Sequence, residues 1–152
     1  MASPQASDKL FSNMAQYAYD HDPANSTVAT EIAWVDMRDF QNFAVLLFTS
    51  ALGGNGPTVF TIIANAESDG GGTDVAIKSH AVGSAPDAVG DFLVLECTAE
   101  EIAQEASDAG VANVRYVTAV VTCQHTDDEA VVVYTRAGAK RPTDGLTVDV
   151  VA

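Results

Sequence analysis

Phe43-Ala44-Val45-Leu46-Leu47-Phe48-Thr49, then Gly53-Gly54-Asn55-Gly56-Pro57, then Val59-Phe60-Thr61-Ile62-Ile63-Ala64-Asn65-Ala66, is the stretch on which the fold turns. The first segment is apolar at consecutive positions, the pattern of a central strand covered on both faces. The second carries glycine wherever a turn needs positive φ. The third is rich in β-branched and aromatic residues and reads as the next strand. Upstream, Val28, Thr30, Ile32 and Trp34 alternate with Ala29, Glu31, Ala33 and Val35, and period two places them on one sheet face. Arg38-Asp39 breaks that segment.

Downstream, Ser68 to Asp74 reads as a loop, Val75 to Ser79 as a short strand and Gly83 to Gly90 as a further loop. Phe92 to Thr98 is a strand that runs into a helix. Thr98-Ala99-Glu100-Glu101 is a capping box, with Thr98 as N-cap and Glu101 reaching back to its amide. Ile102 and Ala106 share one face of that helix, and Gly110 ends it. Val111 to Gln124 and Glu129 to Ala137 read as two longer strands joined by a hairpin at Thr126-Asp127-Asp128. The expected fold is all-β: a sandwich or jelly-roll-like single domain over residues 28–138, with one short internal helix.

Residues 1–27 read as an N-terminal arm. Leu10, Met14 and Tyr17 fall at helical spacing within Asp8 to Asp20, so a short helix is expected there, capped by Ser7 or Asp8 and ended before Pro23. Residues 139–152 read as a tail, with the basic pair Lys140-Arg141 before Pro142 and a strand-like end, Leu146-Thr147-Val148-Asp149-Val150-Val151.

With 152 residues the chain is one ordinary domain, long enough to bury about 70% of its unfolded surface without a metal or disulfide staple. Seven basic against twenty-one acidic residues leave a net charge of −14, which argues against nucleic acid and anionic membranes as partners. The longest apolar run, Phe43 to Phe48, is too short to span a bilayer, and Met1 to Asp8 does not open as a signal peptide. Cys97 and Cys123 sit in apolar stretches outside any Cys-x-x-Cys pattern and read as buried thiols. His21, His80 and His125 have no ligand spacing. No nucleophile elbow, Walker loop or triad occurs, so no catalytic residue, cofactor or metal ligand is assigned and the chain reads as a non-enzyme. The loop Asp69-Gly70-Gly71-Gly72-Thr73-Asp74 is similar to one copy of a calcium-binding glycine repeat, which works only when stacked.

The order of features resembles the tailed-bacteriophage capsid decoration, or cement, proteins. The residues that carry the resemblance are Asp36-Met37-Arg38-Asp39-Phe40 leading into the apolar strand Phe43 to Leu47, the glycine-rich turn, Thr98 to Ile102 opening a helix, the strand-like Asn113 to Val117, and Ala130 to Tyr134. It covers about residues 28–142, and the longer N-terminal arm departs from it. The resemblance implies a virion structural protein made in the bacterial cytoplasm and clamped to the outer capsid surface. It implies a homotrimer bridging neighbouring major capsid protein subunits. Leu10, Phe11, Met14, Tyr17 and Tyr19 of the arm are then candidate capsid or subunit contacts, or else they pack on their own sandwich. Lys140 and Arg141 are candidates to pair with acidic neighbours, or else they are solvated. Arg115 and Arg136 are expected in structural ion pairs, and Trp34 in the core or as a plug at the sandwich edge. A phage tail or head-fibre component is one alternative. A small calcium- or carbohydrate-binding sandwich is another.

Overall fold

In the computed structural model, residues 15–21, 30–31, 33–53, 57–80, 88–123 and 125–138 are described. They form two antiparallel sheets facing each other. The front sheet is ordered β1 (Ala15–His21), β9 (Glu129–Ala137), β4 (Asn42–Ala51), β7 (Phe92–Thr98). The back sheet is ordered β2 (Thr30–Glu31), β8 (Tyr116–Cys123), β5 (Pro57–Asn65), β6 (Val75–Ser79), and the short β3 (Val35–Asp36) continues along the β8 edge beside β2. One helix, α1 (Ala99–Asp108), joins β7 to β8. The fold is therefore the expected all-β sandwich with a short internal helix.

The core lies between the sheets. Phe43, Val45 and Leu47 of β4 and Val132 and Tyr134 of β9 come from the front. Phe60 and Ile62 of β5 and Val117, Ala119 and Val121 of β8 meet them from the back. Phe43 and Tyr134 stack at 5.6 Å between centroids. Tyr134 also brings its hydroxyl to within 3.3 Å of Thr118 Oγ1, a polar link across the dry interior. Met37, Phe40 and Ile102 of α1 belong to the same buried cluster. The helix begins as its sequence dictates: Thr98 Oγ1 accepts from the Glu101 amide at 3.1 Å, and Glu101 Oε2 accepts from the Thr98 amide at 2.7 Å. It ends at Gly110, whose φ of +71° needs no Cβ.

Six of the eight steps between successive strands pass from one sheet to the other. This corrects the hairpin expected at Thr126-Asp127-Asp128. Strands β8 and β9 lie in different sheets, and the turn is an arch over the sandwich end. Asp128 is the reason. Its carboxylate is 1% exposed and accepts from the His125 amide and from the Gly53 amide, both at 2.9 Å. Gly53 begins the β4–β5 arch, so one buried carboxylate fastens two arches together. A Cβ on Gly53 would collide with the His125 ring and stand 2.6 Å from Asp127 Cβ, which favours glycine there.

The helix expected over residues 8–20 is not what its described part forms. Ala15–His21 is a strand, with Tyr17 opposite Thr135 and Tyr19 opposite Val133 of β9. A three-turn helix gains little by itself, whereas a β9 edge left open offers a full row of backbone partners. Leu10, Phe11 and Met14 lie outside the described residues, as do Lys140 and Arg141. Two boundaries also differ. The 28–35 strand is described as β2 and β3, with Ala33 and Trp34 unpaired between them. The 111–124 strand starts only at Tyr116, because Asn113 takes a φ of +62°.

Asp128→Ala leaves two backbone N–H groups unpaired, and urea unfolding will show a loss of about 3 kcal/mol. Thr49 presents the opposite case. Its hydroxyl is buried on the inner face of β4 without a hydrogen-bond partner. Thr49→Val will raise the unfolding free energy by about 1 kcal/mol in the same assay.

Candidate docking surface

Strand periodicity that buries Phe43, Val45 and Leu47 turns Ala44, Leu46 and Phe48 outward. The ladder carries the same phase to the neighbours. Phe48 stands opposite Phe92 on one side and Val131 on the other, and Leu46 opposite Val94 and Val133. These six residues form two adjacent apolar rows on the outer face of the front sheet. Phe92 is 64% exposed, Val94 46% and Phe48 40%. By register, His21 of β1 pairs with Val131 and Tyr19 with Val133. A strand with apolar residues on both faces is expected to be covered on both. Among the described residues, nothing covers this one.

The next rows become polar. Glu96, Ala44 and Thr135 share one, and Thr98, Asn42 and Ala137 the last. Here the face sinks into a groove of about 420 Å³ whose rim includes Lys78, Glu96 and Glu101. Lys78 Nζ donates to the Glu96 carbonyl at 3.0 Å and stands 3.4 Å from Glu101 Oε1. Glu101 is held below the ordinary glutamate value chiefly by the Thr98 amide, with Lys78 adding to the effect and desolvation opposing it. Beneath the groove, burial pushes the Cys97 thiol up to about 12, with Glu101 acting in the same direction and Lys78 against it. That thiol is protonated at neutral pH and is not a nucleophile.

Other residues singled out from sequence are structural. Arg115 pairs with Asp36 at 2.9 Å and lies 4.6 Å over the Tyr116 ring. Arg136 donates to the Asp36 carbonyl and covers the Phe40 ring at 4.6 Å; burial lowers its pKa and Asp36 opposes that shift. Trp34 plugs the sandwich edge against the 66–74 loop, where a Cβ on Gly70 would come within 2.8 Å of Trp34 Nε1. At the end of β5 the fully buried Asn65 donates to Asp74 Oδ1 at 2.7 Å and accepts from the Glu67 amide at 2.8 Å. Asp69 accepts from the Gly71 amide at 3.1 Å. The carboxylates of Asp69 and Asp74 are thus engaged in holding this turn. His125 accepts from the Asp127 amide at 3.1 Å in the β8–β9 arch. Cys97 and Cys123 are buried thiols outside any disulfide. Among the described residues, no group of three or more His, Cys, Asp or Glu side chains is placed to hold a metal ion. No helix among them is long and apolar enough to cross a membrane.

Of the arm residues expected at an interface, Tyr17 and Tyr19 are brought by β1 to the sheet that carries the apolar face. The face itself was not singled out from sequence. Its signal was present in three segments, 43–48, 92–95 and 130–134, that are apolar in both phases of the alternation.

No family model and no curated protein matches this chain. Among solved structures, it is similar to a chain from "Bacillus endospore appendages form a novel family of disulfide-linked pili". The identity is 15% and the TM-score 0.44, over 82% of this chain and 87% of that one.

Glu101 yields a pH prediction. Its pKa is depressed on folding, so its contribution to stability is fully present above the ordinary glutamate value of about 4.3 and fades as pH falls through the folded value. The difference in unfolding midpoint between the parent and Glu101→Gln will be constant above that range and will shrink below it.

Proposed function

We propose that this chain is a structural assembly protein of a virion, a decoration protein that binds the outside of an icosahedral phage head and bridges neighbouring major capsid protein subunits. The observation that carries the reading is the apolar outer face of the front sheet. An exposed, contiguous apolar surface on a chain of net charge −14 is costly to keep in water, and such surfaces mark sites of protein association. Each large side chain buried there contributes roughly 1.5–3 kcal/mol. The rest of the chemistry agrees with a static role. Asp36, Asp69, Asp74, Glu101 and Asp128 brace turns, an edge and the helix cap, and the two cysteines are buried. A rigid two-layer sandwich suits a clamp that spans a seam between capsomers, and an acidic exterior keeps decorated particles apart. Assembly as a homotrimer at local threefold positions is part of the proposal and rests on the family resemblance over residues 28–142.

The test uses virus particles purified from the source culture. Immunogold labelling will place the protein on the outer surface of heads. Particles stripped of it will take up the purified chain and will fail to take up Phe92→Lys/Val94→Lys, a variant whose unfolding free energy stays within about 0.5 kcal/mol of the parent because both positions are exposed. Light scattering will give a trimer that EDTA does not alter. Heads without label, or uptake that the double variant leaves intact, overturns the proposal. A mass that shifts on chelation favours a calcium-binding module instead.

A further inference from the structure

Strand β7 is an end strand of the front sheet, paired with β4 on one side. In an antiparallel ladder both backbone groups of a residue point the same way, alternately toward the neighbouring strand and away from it. Three bonds fix the phase here. The Asp91 carbonyl accepts from the Thr49 amide of β4, whereas the Glu96 carbonyl accepts from Lys78 and the Thr98 amide donates to Glu101. Odd-numbered residues of β7 therefore face β4, and Phe92, Val94 and Glu96 turn their N–H and C=O groups to the outer edge. At Glu96 and Thr98 that edge is closed by Lys78 and Glu101. At Phe92 and Val94 no strand among the described residues pairs with it.

This stretch of edge is apolar on both faces. Phe92 and Val94 are exposed on the outer face. Leu93 and Leu95 on the inner face, with Ile77 of β6, pack against the core yet are only half-buried. The run Phe92 to Leu95 holds no charge, proline or glycine, the residues that blunt an edge against association. Acidic residues flank it, Asp91 before and Glu96, Glu100 and Glu101 after, and Lys78 stands 3.4 Å from Glu101.

We propose that the outer edge of β7 receives an extended segment of a neighbouring capsid subunit as a fifth strand of the front sheet. The segment is about five residues long, matching the roughly 17 Å from Phe92 to Glu96. It is apolar at alternate positions, which continue the rows of Phe92 and Val94, and basic at its ends, which meet Asp91 and Glu96. Backbone bonds to Phe92 and Val94 hold it, and its side chains set the selectivity. The added strand also covers Leu93 and Leu95. A second copy's β7 is a poor occupant. Pairing Val94 with Val94 sets each Phe92 against the other copy's Glu96, whose carbonyl Lys78 already holds, and brings together two chains of net charge −14. This deepens the assembly reading and rests on it only for the source of the segment.

The test turns on Val94→Pro. The Val94 N–H points away from β4, so proline removes the edge donor without breaking a ladder bond, and the unfolding midpoint will match that of the parent. Val94→Thr keeps the N–H and serves as control. Stripped phage heads will take up Val94→Thr like the parent and Val94→Pro at least about tenfold less. A second measurement needs only the parent chain. By nuclear magnetic resonance, the Phe92 and Val94 amides will exchange with solvent at least about tenfold faster than those of Leu93 and Leu95. The capped peptide Lys-Val-Thr-Val-Thr-Val-Arg will slow the exchange of the first pair, and N-methylation of one of its two alternating sets of residues will abolish that effect. Phe92 and Val94 amides already protected in the free chain, or no protection by the peptide, overturn the proposal. A dimer that Val94→Pro dissociates also overturns it and assigns the edge to a second copy. Heads that take up Val94→Pro as well as the parent but reject Phe92→Lys/Val94→Lys refute strand addition and leave the assembly reading standing. Peptide protection together with unlabelled heads leaves the edge site standing and refutes the virion reading alone.

Discussion

One buried carboxylate closes the sandwich. Asp128 accepts from the amides of Gly53 and His125, and so it ties the arch leaving β4 to the arch entering β9. Both arches carry the chain from one sheet to the other. In a sandwich whose strands alternate between layers, neither sheet can form by local pairing alone. The back and front are assembled together, around a core to which both contribute. The arches determine how β4 and β9 meet, and that pairing in turn sets which side chains point outward.

From that pairing comes an unusual surface. The chain is strongly acidic overall, yet the front sheet's outer face shows two rows of valine, leucine and phenylalanine. On most antiparallel sheets with a solvated face, polar residues alternate with apolar ones. Here β4, β7 and β9 are apolar in both phases. Such a sheet is built to lie between two layers, and the described back sheet supplies only one of them. The polar end of the same face, with its groove and its glutamates, lies beside the point where the chain leaves β9.

The polar groups inside the fold serve its architecture. Asn65 stitches the 66–74 loop, Thr118 and Tyr134 link the sheets, and Asp36 gathers Arg115 and the backbone contact of Arg136. Each buried polar group of this kind stabilises one arrangement over its neighbours, because leaving it unpaired costs more than pairing it gains. Cys97, pushed to about 12 by its burial, is a packing residue under the groove floor.

How much of this was legible beforehand depended on how local the physics is. The helix was readable to the residue, since Thr98, Glu101, Ile102, Ala106 and Gly110 act within three turns of one another. Strands β4, β6, β7 and β9 were readable from patterning, which is a property of a single segment. The turn at Thr126-Asp127-Asp128 looked like a hairpin because its composition is that of any tight turn. Only the distant Gly53 amide, which shares the Asp128 carboxylate, makes it an arch. Leu10, Met14 and Tyr17 have helical spacing over residues 8–20, yet the described part, 15–21, is a strand because β9 offers an edge. The apolar outer face belongs to the same class. Periodicity by itself determined that β4, β7 and β9 are apolar on both sides, and hence that the chain is a β-rich sandwich with more apolar face than one core needs. Tertiary structure alone decided which of those faces met the back sheet and which was left facing outward, because that choice depends on contacts between segments far apart in the chain.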